Sequence, residues 1–101
     1  MKLLAIETSS DFGSVALLGD AGIIGEVSWC REKSHSELLS MKIAHLLETY
    51  SQDLSKITNL TVGIGPGSFT GIRVAVNAAR TLSYALNIPC SPFSTHEVLT
   101  F

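Results

Sequence analysis

Residues 3–30 read LLAIETSSDFGSVALLGDAGIIGEVSWC, a segment of three apolar runs separated by two clusters of turn residues. The runs are, in order, Leu3–Ile6, Val15–Leu18 and Ile23–Cys30. In the last run the residues alternate, which predicts Ile23, Val27 and Trp29 on one face of a strand. Short strands joined by tight turns pair with their neighbours, so the segment predicts an antiparallel three-stranded meander.

The pattern changes to helical spacing after the meander. Ser34 and Glu37 have the S-x-x-E form of a capping box, which predicts a helix that runs from there to about Tyr50. A second helix is predicted from about Thr70 to Leu86. Asn87 follows it as the predicted C-terminal stop.

The remaining segments complete an α/β order. Strands are predicted at Leu60–Ile64 and Pro89–Phe93, a polar loop at 51–59, and a third helix after a second capping box at Ser94–Glu97. The order βββαβαβα requires crossover connections, which place parallel strands beside the meander. The sequence therefore predicts a mixed five-stranded sheet with helices on its faces. Since Phe101 lies about one turn into the third helix, we expect the chain to be the first half of something longer.

Composition narrows the class of protein. The 101 residues fit one domain, and the hydrophobic fraction of 46% supports a core. The net charge of −2 argues against direct binding of nucleic acid, which requires a basic face. No apolar stretch approaches the ~20 residues of a membrane span, so we expect a cytoplasmic protein.

Both long helices carry more apolar surface than one face needs. The arcs predicted to face the core are Leu39, Ile43, Leu46, Leu47 and Tyr50 in the first helix, and Ile72, Ala75, Val76, Ala79, Leu82 and Leu86 in the second. The second arcs are Leu38, Met41 and His45, and Val74, Ala78, Thr81 and Ala85. Either these arcs are also buried within the domain, or they bind a partner. A chain this short has too little protein to cover both sides of both helices, which favours the partner.

A glycine-rich loop links the fourth strand to the second helix, where α/β folds often bind phosphates. It lacks the lysine of a Walker loop and the glycine spacing of a dinucleotide fingerprint. We therefore assign a structural role in backbone geometry and helix capping, with ligand binding as the alternative. The residues concerned are Gly63, Gly65, Pro66, Gly67, Ser68, Thr70, Gly71 and Arg73.

No complete catalytic or metal-binding set is evident. His35 and His45 point to different faces of their helix, and the His96-Glu97 pair has Thr100 where a zinc-binding HExxH motif needs its second histidine. The hydroxyls and carboxylate of Glu7–Ser10 could face a phosphate or form local turn hydrogen bonds. We predict no catalytic residue and no metal ligand in this chain.

Four segments together resemble a known family. They are Ala5–Ser9, Ser14–Leu17, His35–Leu39 and Gly63–Arg73. They resemble the TsaB (YeaZ) family, in the glycoprotease-like branch of the actin-like ATPase superfamily. The resemblance covers essentially the whole chain, and the glycine loop followed by Arg73 is its most specific part.

The resemblance implies an RNase H-like, actin-like fold with two such domains, so residues 1–101 would be the N-terminal domain, without the second. It implies a non-catalytic scaffold subunit in the synthesis of threonylcarbamoyladenosine at position 37 of tRNAs. Such a subunit binds the catalytic TsaD through its first two helices, can pair with itself through the same helices, and is joined by TsaE. Contact with tRNA would be indirect.

The same resemblance bears on cofactors. ATP and metal are expected on the partner subunits and none on this chain, which lacks the HxxxH metal motif of the catalytic branch. Glu7 stands where the family usually has aspartate, which weakens a nucleotide role for the first hairpin. The alternative functions are an ATP-dependent transferase or kinase of the same superfamily, or a metalloprotease as in old glycoprotease labels.

Overall fold

The structure, a computed structural model, describes residues 1–8, 12–30, 35–63 and 69–93. Within these ranges the strands are β1 (Leu3–Glu7), β2 (Phe12–Gly19), β3 (Gly22–Cys30), β4 (Asn59–Gly63) and β5 (Cys90–Phe93). The helices are α1 (His35–Thr49) and α2 (Phe69–Leu86), with a 3-10 turn at Leu54–Lys56. The third helix, predicted after Ser94, lies outside the described residues.

The five strands form one mixed sheet in the order β3-β2-β1-β4-β5. β2 pairs antiparallel with both β1 and β3, which confirms the meander. β4 pairs parallel with β1 and with β5, as the crossover connections require. The predicted mixed five-stranded sheet is therefore confirmed.

The core lies on one face of this sheet. Alternate residues of three adjacent strands point to that face and are buried, namely Leu4, Ile6, Val15, Leu17, Leu60 and Val62. Leu46 of α1 and Ala75 and Ala79 of α2 belong to the same buried cluster and are fully inaccessible to solvent. Both helices therefore pack on the same face, α1 over β2 and β3 and α2 mainly over β4.

Both helices end in left-handed residues. Ser51 has φ 53° and Asn87 has φ 55°. After α1, the Gln52 N–H donates to the Leu47 carbonyl and the Ser51 N–H to the Glu48 carbonyl, the two bonds of a Schellman motif. Asn87 is thus confirmed as the stop of α2.

Two predictions about side chains were wrong. Ile23 is 68% exposed, whereas Trp29 on the same strand is buried. The pairing of β2 with β3 shifts between Leu17 and Leu18, and one added residue in a strand turns every later side chain to the opposite face. Tyr50, predicted in the core, is 40% exposed because it follows the end of α1, where its ring lies against Gly25.

The segment predicted as a plain polar loop contains the 3-10 turn. Asp53 caps this turn, since its carboxylate accepts a 3.0 Å hydrogen bond from the Ser55 N–H. That bond, with help from the charge of nearby Lys56, lowers the pKa of Asp53 below its ordinary value of 3.8. The turn places Leu54 against the core cluster, close to both helices.

Candidate functional site

A groove of about 490 Å³ runs between α1 and α2 on the side away from the sheet. Its lining is mostly aliphatic: Leu39, Ser40, Ile43, Ala44, Leu47, Leu54, Val74, Asn77, Ala78, Thr81 and Leu82. Its polar lining groups come from short side chains. An open, apolar groove between two helices is a kind of surface that receives the apolar face of an amphipathic helix.

The groove exists because the helices face each other with short side chains. Ser40 and Ala44 lie one turn apart on α1, and Ala78 stands on α2. Ala75 and Ala79, on the adjoining face of α2, are fully buried and let the helix approach the sheet closely. The short side chains of α1 and α2 that face each other thus leave a gap that the chain's own described side chains do not fill.

The structure divides the predicted partner surface. Val74, Ala78 and Thr81 line the groove as one stripe of α2, and Ala85 is exposed one turn further on. On α1, Met41 (66% exposed) and His45 are exposed, as a partner surface requires, but they lie outside the groove lining. Leu38 belongs to α1, but its side chain lies outside the described part of the structure.

Sequence reasoning missed the α1 wall of the groove. Ser40 and Ala44 are small residues one turn apart, at positions i and i+4 of α1. The sequence contains this signal, but the prediction for α1 relied on large apolar residues. Leu54 gave no signal, because it lies in a segment predicted to be a polar loop. Asn77 was missed because a polar residue was not expected among apolar ones.

The glycine loop is described only at its ends. Gly63 is buried at the end of β4, where the Glu7 carboxylate lies directly against its Cα, and the neighbouring Thr8 is fully buried. Arg73 is exposed on α2. The predicted residues Gly65, Pro66, Gly67 and Ser68 lie outside the described residues, and Thr70 and Gly71 belong to α2, with their surroundings undescribed.

Other candidate sites are weaker in the described ranges. These ranges contain no cluster of three or more His, Cys, Asp or Glu side chains that could hold a metal ion. No helix in the same ranges is long and apolar enough to cross a membrane. Cys90 on β5 is half-buried, and burial raises the pKa of its thiol, which disfavours the reactive thiolate. The groove is therefore the leading candidate site.

Comparison with known proteins identifies the family. Residues 8–101 match the family model described as TsaD, tRNA N6-adenosine threonylcarbamoyltransferase. The chain belongs to the TsaD family. Within it, the resemblance to TsaB is confirmed: the chain is 41% identical over 103 residues to the tRNA threonylcarbamoyladenosine biosynthesis protein TsaB of Bacillus subtilis. It is 33% identical over 95 residues to the protein of the same name from Escherichia coli.

These relatives are longer than the chain. The alignment to the Bacillus subtilis TsaB covers 98% of this chain but 43% of the relative. The alignment to the Escherichia coli TsaB covers 94% and 41%, respectively. The chain thus spans less than half the length of the curated relatives that it matches.

A solved structure agrees with the sequence match. YeaZ from Pseudomonas aeruginosa superposes with a TM-score of 0.84 at 32% sequence identity, over 92% of this chain and 42% of that one. Together with the strand order β3-β2-β1-β4-β5, this match confirms the predicted RNase H-like, actin-like fold.

Proposed function

We propose that this chain serves as the partner-binding part of a TsaB-type subunit in the synthesis of threonylcarbamoyladenosine at position 37 of tRNAs. In this role it binds TsaD through α1 and α2 and supports the catalysis that TsaD performs. The two TsaB relatives, each named for this biosynthesis, support the pathway. The groove between the helices supports the role in binding.

The groove is the observation that carries the proposal. The groove leaves an aliphatic lining open between α1 and α2, the two helices that the family resemblance assigns to partner binding. A docked helix would remove the aliphatic lining from water, which stabilises the complex by roughly 25 cal/mol for each Å² buried. Thr81 adds no cost to that burial, since its hydroxyl already donates to the Asn77 carbonyl at 2.9 Å.

The remaining roles follow from that one. We assign catalysis, ATP and metal to the partner subunits, because the described side chains offer an aliphatic surface to a ligand rather than converging acid, base or metal-binding groups. TsaE would join through the TsaB–TsaD pair, and tRNA would be contacted only indirectly. A second copy of the chain would compete for the same groove, and the complex would act in the cytoplasm.

The test is binding to TsaD after a charge is placed in the groove. Ala78→Glu puts a carboxylate where a docked helix would strip it of water, so we expect the dissociation constant to rise at least about 100-fold. Leu38→Glu tests the predicted continuation of the surface on α1. The matched control is Ala21→Glu, at the exposed turn between β2 and β3, which makes the same replacement far from both helices.

Circular dichroism and the melting temperature establish that each variant is folded. Co-purification and calorimetry with TsaD then measure binding. We expect Ala21→Glu to bind as the unmodified chain does. Folded Ala78→Glu and Leu38→Glu proteins that both bind TsaD with unchanged affinity would rule out the groove as the docking site.

A further inference from the structure

Asn77 is the one residue with a side-chain amide among the described residues that line the groove. It lies at the mouth of the groove together with Thr81, one turn later on α2, since both residues are exposed. Ala78 and Leu82, which line the same wall, are half-buried. The polar groups of this wall therefore lie toward solvent and its apolar groups toward the floor of the groove.

The two polar side chains of this wall differ in their hydrogen bonding. The Thr81 hydroxyl donates to the backbone carbonyl of Asn77 at 2.9 Å, so α2 itself satisfies that donor. Within the described ranges the side chain of Asn77 makes no hydrogen bond. An amide has two donor hydrogens and an acceptor oxygen, whereas the backbone groups in the interior of a helix are bonded to one another. The Asn77 amide is therefore satisfied by water while the groove is open.

We propose that Asn77 is a specificity-determining residue of the groove and selects a TsaD helix that carries a neutral hydrogen-bonding side chain, an amide or a hydroxyl, beside its apolar face. This inference rests on the proposed function and specifies the chemistry of the partner. A helix with only apolar side chains would displace the water and leave the Asn77 amide without a partner, which opposes docking. A charged side chain would lose its own water beside the aliphatic lining, at a greater cost. One asparagine in an otherwise apolar contact between helices fixes their register in the same way.

A partner helix fits the groove better than a second copy of the chain does. The lining includes the short side chains of Ser40, Ala44 and Ala78, so two copies joined through this face would set one groove against the other. The space left between them would forfeit packing contacts. A helix with large apolar side chains fills the same space, and a polar side chain on its flank reaches Asn77.

The experiment measures by calorimetry the affinity of TsaD for the chain carrying Asn77→Ala, after circular dichroism has shown that the variant is folded. The truncation leaves the polar group of the partner unpaired in the complex, so we expect the dissociation constant to rise about fivefold to 100-fold. Asn77→Asp keeps the shape but replaces the amide donors by a charge, and should weaken binding at least about tenfold.

The matched control is Thr81→Val, which removes a hydroxyl from the same wall at nearly constant size. Because that hydroxyl is already bonded within α2, we expect the affinity for TsaD to stay within about twofold. Equal losses of affinity in Asn77→Ala and Thr81→Val would show that any change in the wall weakens docking, and would overturn the role of the amide.

Ala78→Glu, measured in the same series, separates the two proposals. If Ala78→Glu abolishes TsaD binding while Asn77→Ala and Asn77→Asp leave it unchanged, selection by Asn77 is refuted and the groove stands. If none of these changes affects binding, both proposals fail. Weaker self-association of Asn77→Ala with unchanged TsaD affinity would assign the amide to a second copy and overturn the proposal. Replacing one amide or hydroxyl residue of TsaD by alanine would confirm it, if this weakens binding to the unmodified chain but not to Asn77→Ala.

Discussion

Gly63→Ala tests what the first glycine of the glycine loop does. Gly63 is buried at the end of β4, and a Cβ added there would overlap the Glu7 carboxylate, with the Glu7 Cδ 2.6 Å away. Among the described residues the only glycine with a left-handed φ is Gly22. An alanine at position 63 is therefore opposed by lack of space and not by backbone strain.

The overlap gives the expected magnitude. Forcing an extra methyl group into a packed site costs about 1–3 kcal/mol. Replacing glycine recovers about 0.5–1 kcal/mol, because the unfolded chain loses freedom. We expect Gly63→Ala to lower the free energy of unfolding by up to about 2.5 kcal/mol, which for a domain of this size lowers the melting temperature by up to roughly 20 °C.

A double-mutant cycle with Glu7 identifies the cause. In a Glu7→Ala background the obstructing carboxylate is gone, so Gly63→Ala should be neutral or stabilising, a coupling of about 1–3 kcal/mol between the two positions. Glu7→Gln is the matched control, since a side chain of the same size preserves the overlap. Urea denaturation followed by circular dichroism and by Trp29 fluorescence measures all six proteins. An equal cost of Gly63→Ala in the Glu7→Ala and unmodified chains would refute the overlap as its origin.

Two further predictions concern the segment after α1. Ser51→Gly should raise the free energy of unfolding by about 0.5–1 kcal/mol, since Ser51 has φ 53° and glycine adopts this conformation without strain. Asn87→Gly, the counterpart after α2 at φ 55°, should raise it less, because asparagine tolerates the left-handed region. Equal increases in stability for the two variants in thermal melts would contradict this. Asp53→Ala should lower the melting temperature at pH 7 but not in strong acid. The folded-state pKa of Asp53 lies below 3.8, so its contribution is complete above that value and is lost as the pH falls through the lower folded pKa; a difference between the two proteins that persisted at pH 2 would exclude the charged cap.

Periodicity predicted most of the fold because each signal was local. The meander, both long helices and the parallel strands all follow from the spacing of apolar residues and from turn chemistry. Ile23 was misplaced because a bulge depends on how β2 and β3 pair, and neither strand's sequence contains that register. The loop glycines were assigned to backbone geometry from composition, whereas at Gly63 the group that an added Cβ would overlap is the carboxylate of Glu7, which is distant in sequence.

The candidate site was predictable in part, for a related reason. A helical wheel separates faces but does not show which face meets a neighbouring helix. The predicted residues Val74, Ala78 and Thr81 line the groove, but on α1 the prediction favoured Met41 over Ala44 because the larger residue looked more like an anchor. A groove forms where side chains are too short to fill the space between helices. Small residues at positions i and i+4 are therefore the best sequence signal for its walls.

That origin of the groove also connects binding with stability. Ala78 could be enlarged to fill the space between α1 and α2, and the chain alone would gain apolar contacts at little steric cost, because the groove is open. Ala75 and Ala79, fully buried against the sheet, could not be enlarged without strain. The short side chain at position 78 is thus not required by the fold, whereas those at 75 and 79 are, and a surface left unfilled in this way is most simply explained if another helix fills it.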